Sequence, residues 1–212
     1  MFLRMDASIP PMGIYKIIIL SFVLALNVDA RPISYSGGST VMLKSDNMSK
    51  SIYYHYSPTY KYSVGIENLE DKFFNKNKNY LRLTYLINRK NTDTSQRNLY
   101  FQSGVLVDDA DGFFYGIHGD WETRRWFSGF GYKDTKNTFG QDYTDQYIQL
   151  GVAPYIGDYG DLHTWIMIKT KKNSLTKTQS TYPELKFFKG PTLVKFGYSD
   201  ETEWDLHFMY RF

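Results

Sequence analysis

The stretch Glu203-Trp204-Asp205-Leu206-His207-Phe208-Met209-Tyr210-Arg211-Phe212 divides into two sets of residues. Trp204, Leu206, Phe208, Tyr210 and Phe212 take one side of an extended chain, while Glu203, Asp205, His207, Met209 and Arg211 take the other. Successive side chains of a strand point to opposite faces, so this spacing predicts a strand with one apolar face and one wet face.

The same two-faced pattern recurs upstream. Ile52, Tyr54 and Tyr56 oppose Tyr53, His55 and Ser57, and Tyr60, Tyr62, Val64 and Ile66 oppose Lys61, Ser63, Gly65 and Glu67. Leu81, Leu83, Tyr85 and Ile87 oppose Arg82, Thr84, Leu86 and Asn88. Phe113, Tyr115, Ile117 and Trp121 oppose Gly116, His118, Asp120 and Glu122; Leu162, Ile166 and Ile168 oppose His163, Trp165, Lys169 and Lys171.

Clusters of Gly, Pro, Asn, Asp and Ser separate these segments as turn signals. Strands are expected near 39–45, 51–57, 60–68, 80–90, 98–107, 113–123, 125–133, 144–155, 162–172, 182–189, 192–199 and 203–212, with Ser57-Pro58-Thr59 as a turn. Ten strands is the alternative count. No plug domain is read.

Nineteen Tyr, fifteen Phe and four Trp sit beside 22% charged residues in a chain of 212, yet after residue 30 no apolar run reaches the length of a membrane helix. Thinly spread apolar residues suit a barrel whose strands are greasy only on the outside. In a soluble sandwich or barrel the aromatic face would turn inward and overfill the core. Tyr80, Trp121, Tyr155 and Trp204, near strand ends, suit an interfacial girdle.

The absence of cysteine excludes disulfide frameworks, thiolate metal sites and cysteine nucleophiles. A net charge of +3 gives no reason to expect nucleic acid as a partner.

At the N-terminus Lys16 precedes the apolar run Ile17 to Leu26, and Val28 and Ala30 are small residues spaced for cleavage. This is the layout of a secretory signal, with an apolar run too short to span a bilayer comfortably. The chain therefore divides into a signal peptide, 1–30, and a barrel, 31–212, with Met12 as an alternative start. A single-span anchor is the other reading of that run.

An alternating terminal strand ending in an aromatic, here Leu206, Phe208, Tyr210 and Phe212, resembles the assembly signal of Gram-negative outer-membrane β-barrel proteins. The resemblance is to the class and to no one family within it. It implies an antiparallel up-and-down transmembrane barrel in the outer membrane, folding by the barrel-assembly machinery, and contact with outer-membrane lipid and lipopolysaccharide. The outward loops would then be 46–50, 69–79, 108–112, 134–143, 173–181 and 200–202, with Lys72, Lys76 and Lys78 able to meet lipopolysaccharide phosphates.

Alternation puts Lys61, Glu67, Arg82, His118, Asp120, Glu122, His163, Lys169, Glu184, Lys186, Lys195, Asp205, His207 and Arg211 on the lumen, and likewise Lys44, His55, Lys171 and Glu203. A charged lining favours a pore for small polar or ionic solutes. The plainer account is that such groups pair across the lumen and hold the wall in shape.

Two sharper chemistries compete. His55 and Ser57, two apart on one face, resemble the His-x-Ser pairs of barrel lipases and lipid A deacylases, which would make the protein a lipid or lipopolysaccharide hydrolase. His118 and Asp120 are the best pair for a metal, although the four histidines lack the local spacing of a ligand set. Asp108, Asp109 and Asp111 before Gly112 read as a hairpin turn, not a calcium loop. No cofactor is expected. A non-conducting accessory barrel, for instance beside an efflux system, is the third reading, and oligomeric state is not encoded in any pattern seen.

Overall fold

A computed structural model describes residues 33–212 apart from 110, 139 and 159. The signal segment and the alternative start at Met12 lie outside the described residues. Twelve strands follow one another: β1 (Gly38–Ser45), β2 (Ser49–Thr59), β3 (Tyr62–Asp71), β4 (Lys76–Asn91), β5 (Ser95–Leu106), β6 (Phe113–Thr123), β7 (Trp126–Lys136), β8 (Tyr143–Val152), β9 (His163–Asn173), β10 (Gln179–Lys189), β11 (Thr192–Ser199) and β12 (Glu203–Arg211).

Each strand pairs antiparallel with its sequence neighbours, and β1 pairs β12 from Thr40↔Arg211 to Ser45↔Leu206, so the sheet closes on itself. Closure removes both sheet edges, which would otherwise present unpaired N–H and C=O groups. Because the strand number is even, the described chain starts and ends at the same rim, called here the terminal rim; the opposite one is the loop rim.

Alternation sorts the wall into two surfaces. Leu206 is 44% exposed and Ile168 62%, whereas the intervening or neighbouring Met167 and Glu184 are each 1% exposed. Trp204, Phe208, Tyr210 and Phe212 share the outside with Ile148, Leu150 and Ile166. The apolar face of this barrel therefore points away from its axis, the reverse of a soluble barrel. Among the described residues no helix is long and apolar enough to cross a membrane, a fact that does not bear on strands.

The structure corrects several boundaries. The turn between β2 and β3 is Tyr60–Lys61, not Ser57-Pro58-Thr59: β2 runs through Pro58, with a register shift between Tyr56 and Thr59. Proline lacks a ladder donor and is tolerated where pairing is already broken. The shift also carries Lys61 off the wall into an exposed turn.

The 69–79 loop shrinks to 72–75, because β3 and β4 keep pairing beyond the apolar zone as far as Asp71↔Lys76. Outward Asn68 and Asn79 bond each other there at 2.9 Å, so polar residues continue the ladder. At the terminal rim β8 stops at Val152, and residues 153–162 connect to β9.

Tyr80 faces inward, 3% exposed, and packs edge-on against Phe114 at 5.2 Å; it forms no part of an outer girdle. No plug domain fills the described barrel, but its first residues turn inside. Ile33 is buried against Leu86 and Tyr100, Ser34 N–H donates to Ser57 Oγ (2.9 Å), and Arg211 donates to Ile33 O (3.3 Å).

Strand packing leaves no room at Gly65 in β3. A Cβ there would lie 2.0 Å from the Tyr54 carbonyl oxygen and 2.6 Å from His55 Cα. Since main chain rather than a mobile side chain is in the way, Gly65→Ala should cost about 1–3 kcal/mol, the usual penalty of overpacking. A lower urea midpoint for the barrel refolded in lipid vesicles, followed by tryptophan fluorescence, checks this.

Candidate functional site

The lumen contains a cavity of about 770 Å3 with walls reaching both rims. Asp46, Asn47 and Thr176 line it at the loop rim; Asp93, Glu122 and Arg124 line it at the terminal rim. Space of this size with many polar partners is suited to water.

Two groups of inward-facing charges lie on opposite sides of the ring. On the β2–β6 side Arg82 donates to Glu67 (2.8 Å) and Gln102 (3.0 Å), with its guanidinium 4.2 Å from the Tyr53 ring centre and 5.1 Å from that of Phe114. On the β8–β12 side Lys169 meets Asp205 (2.7 Å) and Glu184 (3.3 Å), while Lys195 meets Glu184 (2.9 Å) and Gln149 (3.1 Å). Tyr182 donates its hydroxyl proton to Asp205. Charges taken from water need such partners, and the planar guanidinium of Arg82 can both pair and stack.

Other contacts bridge strands that are not neighbours. Lys186 on β10 approaches Glu122 on β6 at 3.5 Å and lies over Phe127 and Trp165, 3.9 and 4.4 Å from their ring centres. Lys171 on β9 reaches Asp46 in the β1–β2 turn at 2.5 Å. That turn is held further by Lys72, which donates to the Asp46 carbonyl (2.5 Å), and by Asn47, which donates to the Glu201 carbonyl (2.8 Å).

The structure places Glu67, Arg82, His118, Asp120, Glu122, His163, Lys169, Lys186, Lys195, Asp205 and His207 along the cavity. Glu184 also faces inward, but lies buried under its lysine partners. Arg211 is buried near the terminal rim beside Ile33. Lys61 is in the turn already described, and Glu203 is exposed at the start of β12. Thus Lys61 and Glu203 do not line the bore.

Lys78, expected in a basic loop, is 2% exposed and pairs with Asp71 at 2.6 Å. With Lys72 also engaged, no cluster of Lys72, Lys76 and Lys78 stands clear at the rim.

Lys133 and Asp145, 3.4 Å apart, were missed in the sequence although alternation along β7 and β8 turns both inward. The interior is also less polar than expected. Met42, Tyr53, Leu193 and Met209 form one buried cluster, and Phe127, Ala153, Trp165 and Met167 another.

His55 and Ser57 are both fully buried inside the wall, away from the apolar outer face. Ser57 Oγ accepts from Ser34, and neither ring nitrogen of His55 has a hydrogen-bond partner. The orienting acid that activates such a pair is therefore missing. His118 stacks on Tyr100 with ring centres 4.9 Å apart, and Asp120 accepts from Asn98 (2.8 Å). Among the described residues no group of three His, Asp or Glu is arranged to hold a metal ion. Asp109 accepts from the Asp111 and Gly112 amides (3.1 and 3.0 Å) and closes the β5–β6 hairpin.

No known protein family matches the sequence, and no curated protein does. Among solved structures the chain has a match in OccAB4 of Acinetobacter baumannii, at 12% identity and a TM-score of 0.37. The match covers 81% of this chain and 56% of that one, so the chain spans little more than half its length.

Removing one partner of the Arg82–Glu67 pair strands the other charge. Arg82→Met should cost about 3–5 kcal/mol, and the double variant Arg82→Met, Glu67→Leu should recover most of it. Urea unfolding of the two single variants and the double variant, taken as a cycle, measures the difference.

Burial opposes ionisation of Asp46, but the ammonium of Lys171 and the hydrogen bond it makes outweigh that, and the carboxyl is held below its ordinary value of 3.8. A depressed carboxyl stabilises fully above its unfolded value and ceases to do so as pH falls through the lower folded one. The β1–β2 turn should then be unchanged from pH 7 to well below 5, and loosen only in stronger acid. Met48 and Ser49 donate their amides to Asp46 Oδ1, so Asp46→Asn should weaken their protection from hydrogen exchange already at pH 7, by roughly tenfold.

Proposed function

We propose that this chain is an outer-membrane barrel whose water-filled lumen passes small polar or ionic solutes. The observation that carries the reading is one cavity, walled by charged side chains and reaching both rims, inside a barrel with an apolar exterior. Only a closed sheet satisfies its backbone hydrogen bonds without water on its outer side. An apolar outer surface combined with a charged inner one is the division that a bilayer and an aqueous channel impose.

In this reading residues 1–30 direct export and are removed, and residues 31–212 form the mature barrel. The terminal strand ending at Phe212 serves the barrel-assembly machinery, and Trp204, Leu206 and Phe208 contact lipid. Lipopolysaccharide would lie against the outer half of the wall, beside the loop rim. That orientation puts the chain ends on the periplasmic side, as bacterial barrels require.

Small solutes would be sorted by the bore's width and by the fields of its paired charges. The Lys195–Glu184 pair is central to that sorting, since Lys195 also reaches Gln149 three strands away. The barrel refolded into a planar bilayer should give steady unitary currents. Lys195→Gln should leave the currents present and move the anion-to-cation permeability ratio toward cations by about twofold. Silent bilayers across several salts would defeat the channel.

A further inference from the structure

The chain before β1 is held inside the barrel by several kinds of contact. It leaves the wall at a tight turn in which the Gly38 amide donates to the Tyr35 carbonyl (3.0 Å) and Gly37 takes a φ of 82°, which glycine adopts without steric cost. The Gly37 amide pins that turn to the Ser57 carbonyl of β2 at 2.8 Å.

Beyond the turn, the main chain of Ser34 and Ile33 is tied to β2 and β12 by its bonds with Ser57 Oγ and Arg211. Buried main-chain groups need such partners. The Ile33 side chain, 2% exposed, reaches Leu86 of β4 and Tyr100 of β5, which keep it from water.

This strap divides the terminal mouth. On the half of the ring made by β12 and β1 to β5, the inward side chains of Arg211, Thr40, Ser57, Ser63, Leu86 and Tyr100, one from each strand, are buried and form no part of the cavity wall. On the other half Glu122, Phe127, His163, Phe188 and Leu193 line the cavity toward the same rim.

We propose that residues 33–37 are a strap that closes the half of the terminal mouth next to β1, and that the strap, not the ring of strands, sets the size of solute able to pass there. The effect on passage rests on the channel reading, whereas the seating of the strap does not.

The chain has no cysteine, so a single introduced thiol reports on its own position. In the chain refolded into maltoside micelles, Ser34→Cys should react with a charged, water-soluble thiosulfonate at least about a hundredfold more slowly than Ser36→Cys, whose position is exposed. Adding Ile33→Ser to Ser34→Cys removes the apolar anchor and should raise the rate at least about tenfold. Equal rates at positions 34 and 36 with Ile33 in place would overturn the seating.

Bilayer recordings read the obstruction. Ile33→Ser should carry about twice the unitary current of wild type, and larger polyethylene glycols added to both chambers should now enter the bore and lower that current. Equal currents and an equal polymer cutoff, with the strap released by the thiol measure and the barrel intact by circular dichroism, would overturn the strap as the limit and leave the channel. Silent bilayers from both proteins, with Ser34→Cys protected, would remove conduction and leave the strap as a seated closure.

Discussion

Everything in this molecule depends on the pairing of β1 with β12. Six residue pairs, from Thr40↔Arg211 to Ser45↔Leu206, turn a twelve-stranded ribbon into a ring. Once the ring is closed, no strand edge needs water, and the outer surface is free to be apolar. Were it open, the outward Leu, Ile and Trp side chains and the unpaired edges would together favour aggregation. The terminal strand carries both requirements in one segment: its main chain closes the ring while Leu206 and Phe208 point away from the axis.

The ring fixes which residues meet, and its interior must then deal with charges removed from bulk water. It does so unequally around the circumference. Arg82 is shared among a carboxylate, an amide and two aromatic rings on one side; Lys169, Lys195, Glu184 and Asp205 share partners on the other. Packing supports the same arrangement. A Cβ on Gly131 would come within 2.2 Å of the Tyr147 ring, and one on Gly197 within 2.9 Å of Tyr182. Glycine on one strand therefore lets a ring from the next lie flat on the wall, and Tyr182 is thereby kept beside Asp205.

Periodicity of two was enough to find all twelve strands and to tell the outer face from the inner, because side-chain direction follows from the extended chain itself. It fails wherever the period is broken. The irregularity near Pro58 moved the turn to Tyr60–Lys61 and took Lys61 off the wall, and a single inserted residue leaves no mark in polarity. Polar ladders beyond the apolar zone look like loops, which hid the pairing of Lys78 with Asp71. Tyr80 shows a different limit: an aromatic near a strand end fits a girdle by composition, yet its phase with Arg82 and Thr84 turns it inward. Partners such as Lys171 and Asp46, 125 residues apart, depend on how the ring brings distant strands together, which no local pattern records.

A nearly balanced interior also bears on what a lumen can do with a solute. A wall of unpaired charges of one sign would hold an oppositely charged solute too firmly to release it, while an uncharged wall would offer nothing in exchange for lost hydration. Passage needs contacts strong enough to admit and weak enough to let go. Ion pairs such as Lys195–Glu184 present both signs close together, so their fields decay over a short distance and would act on a solute only at close range.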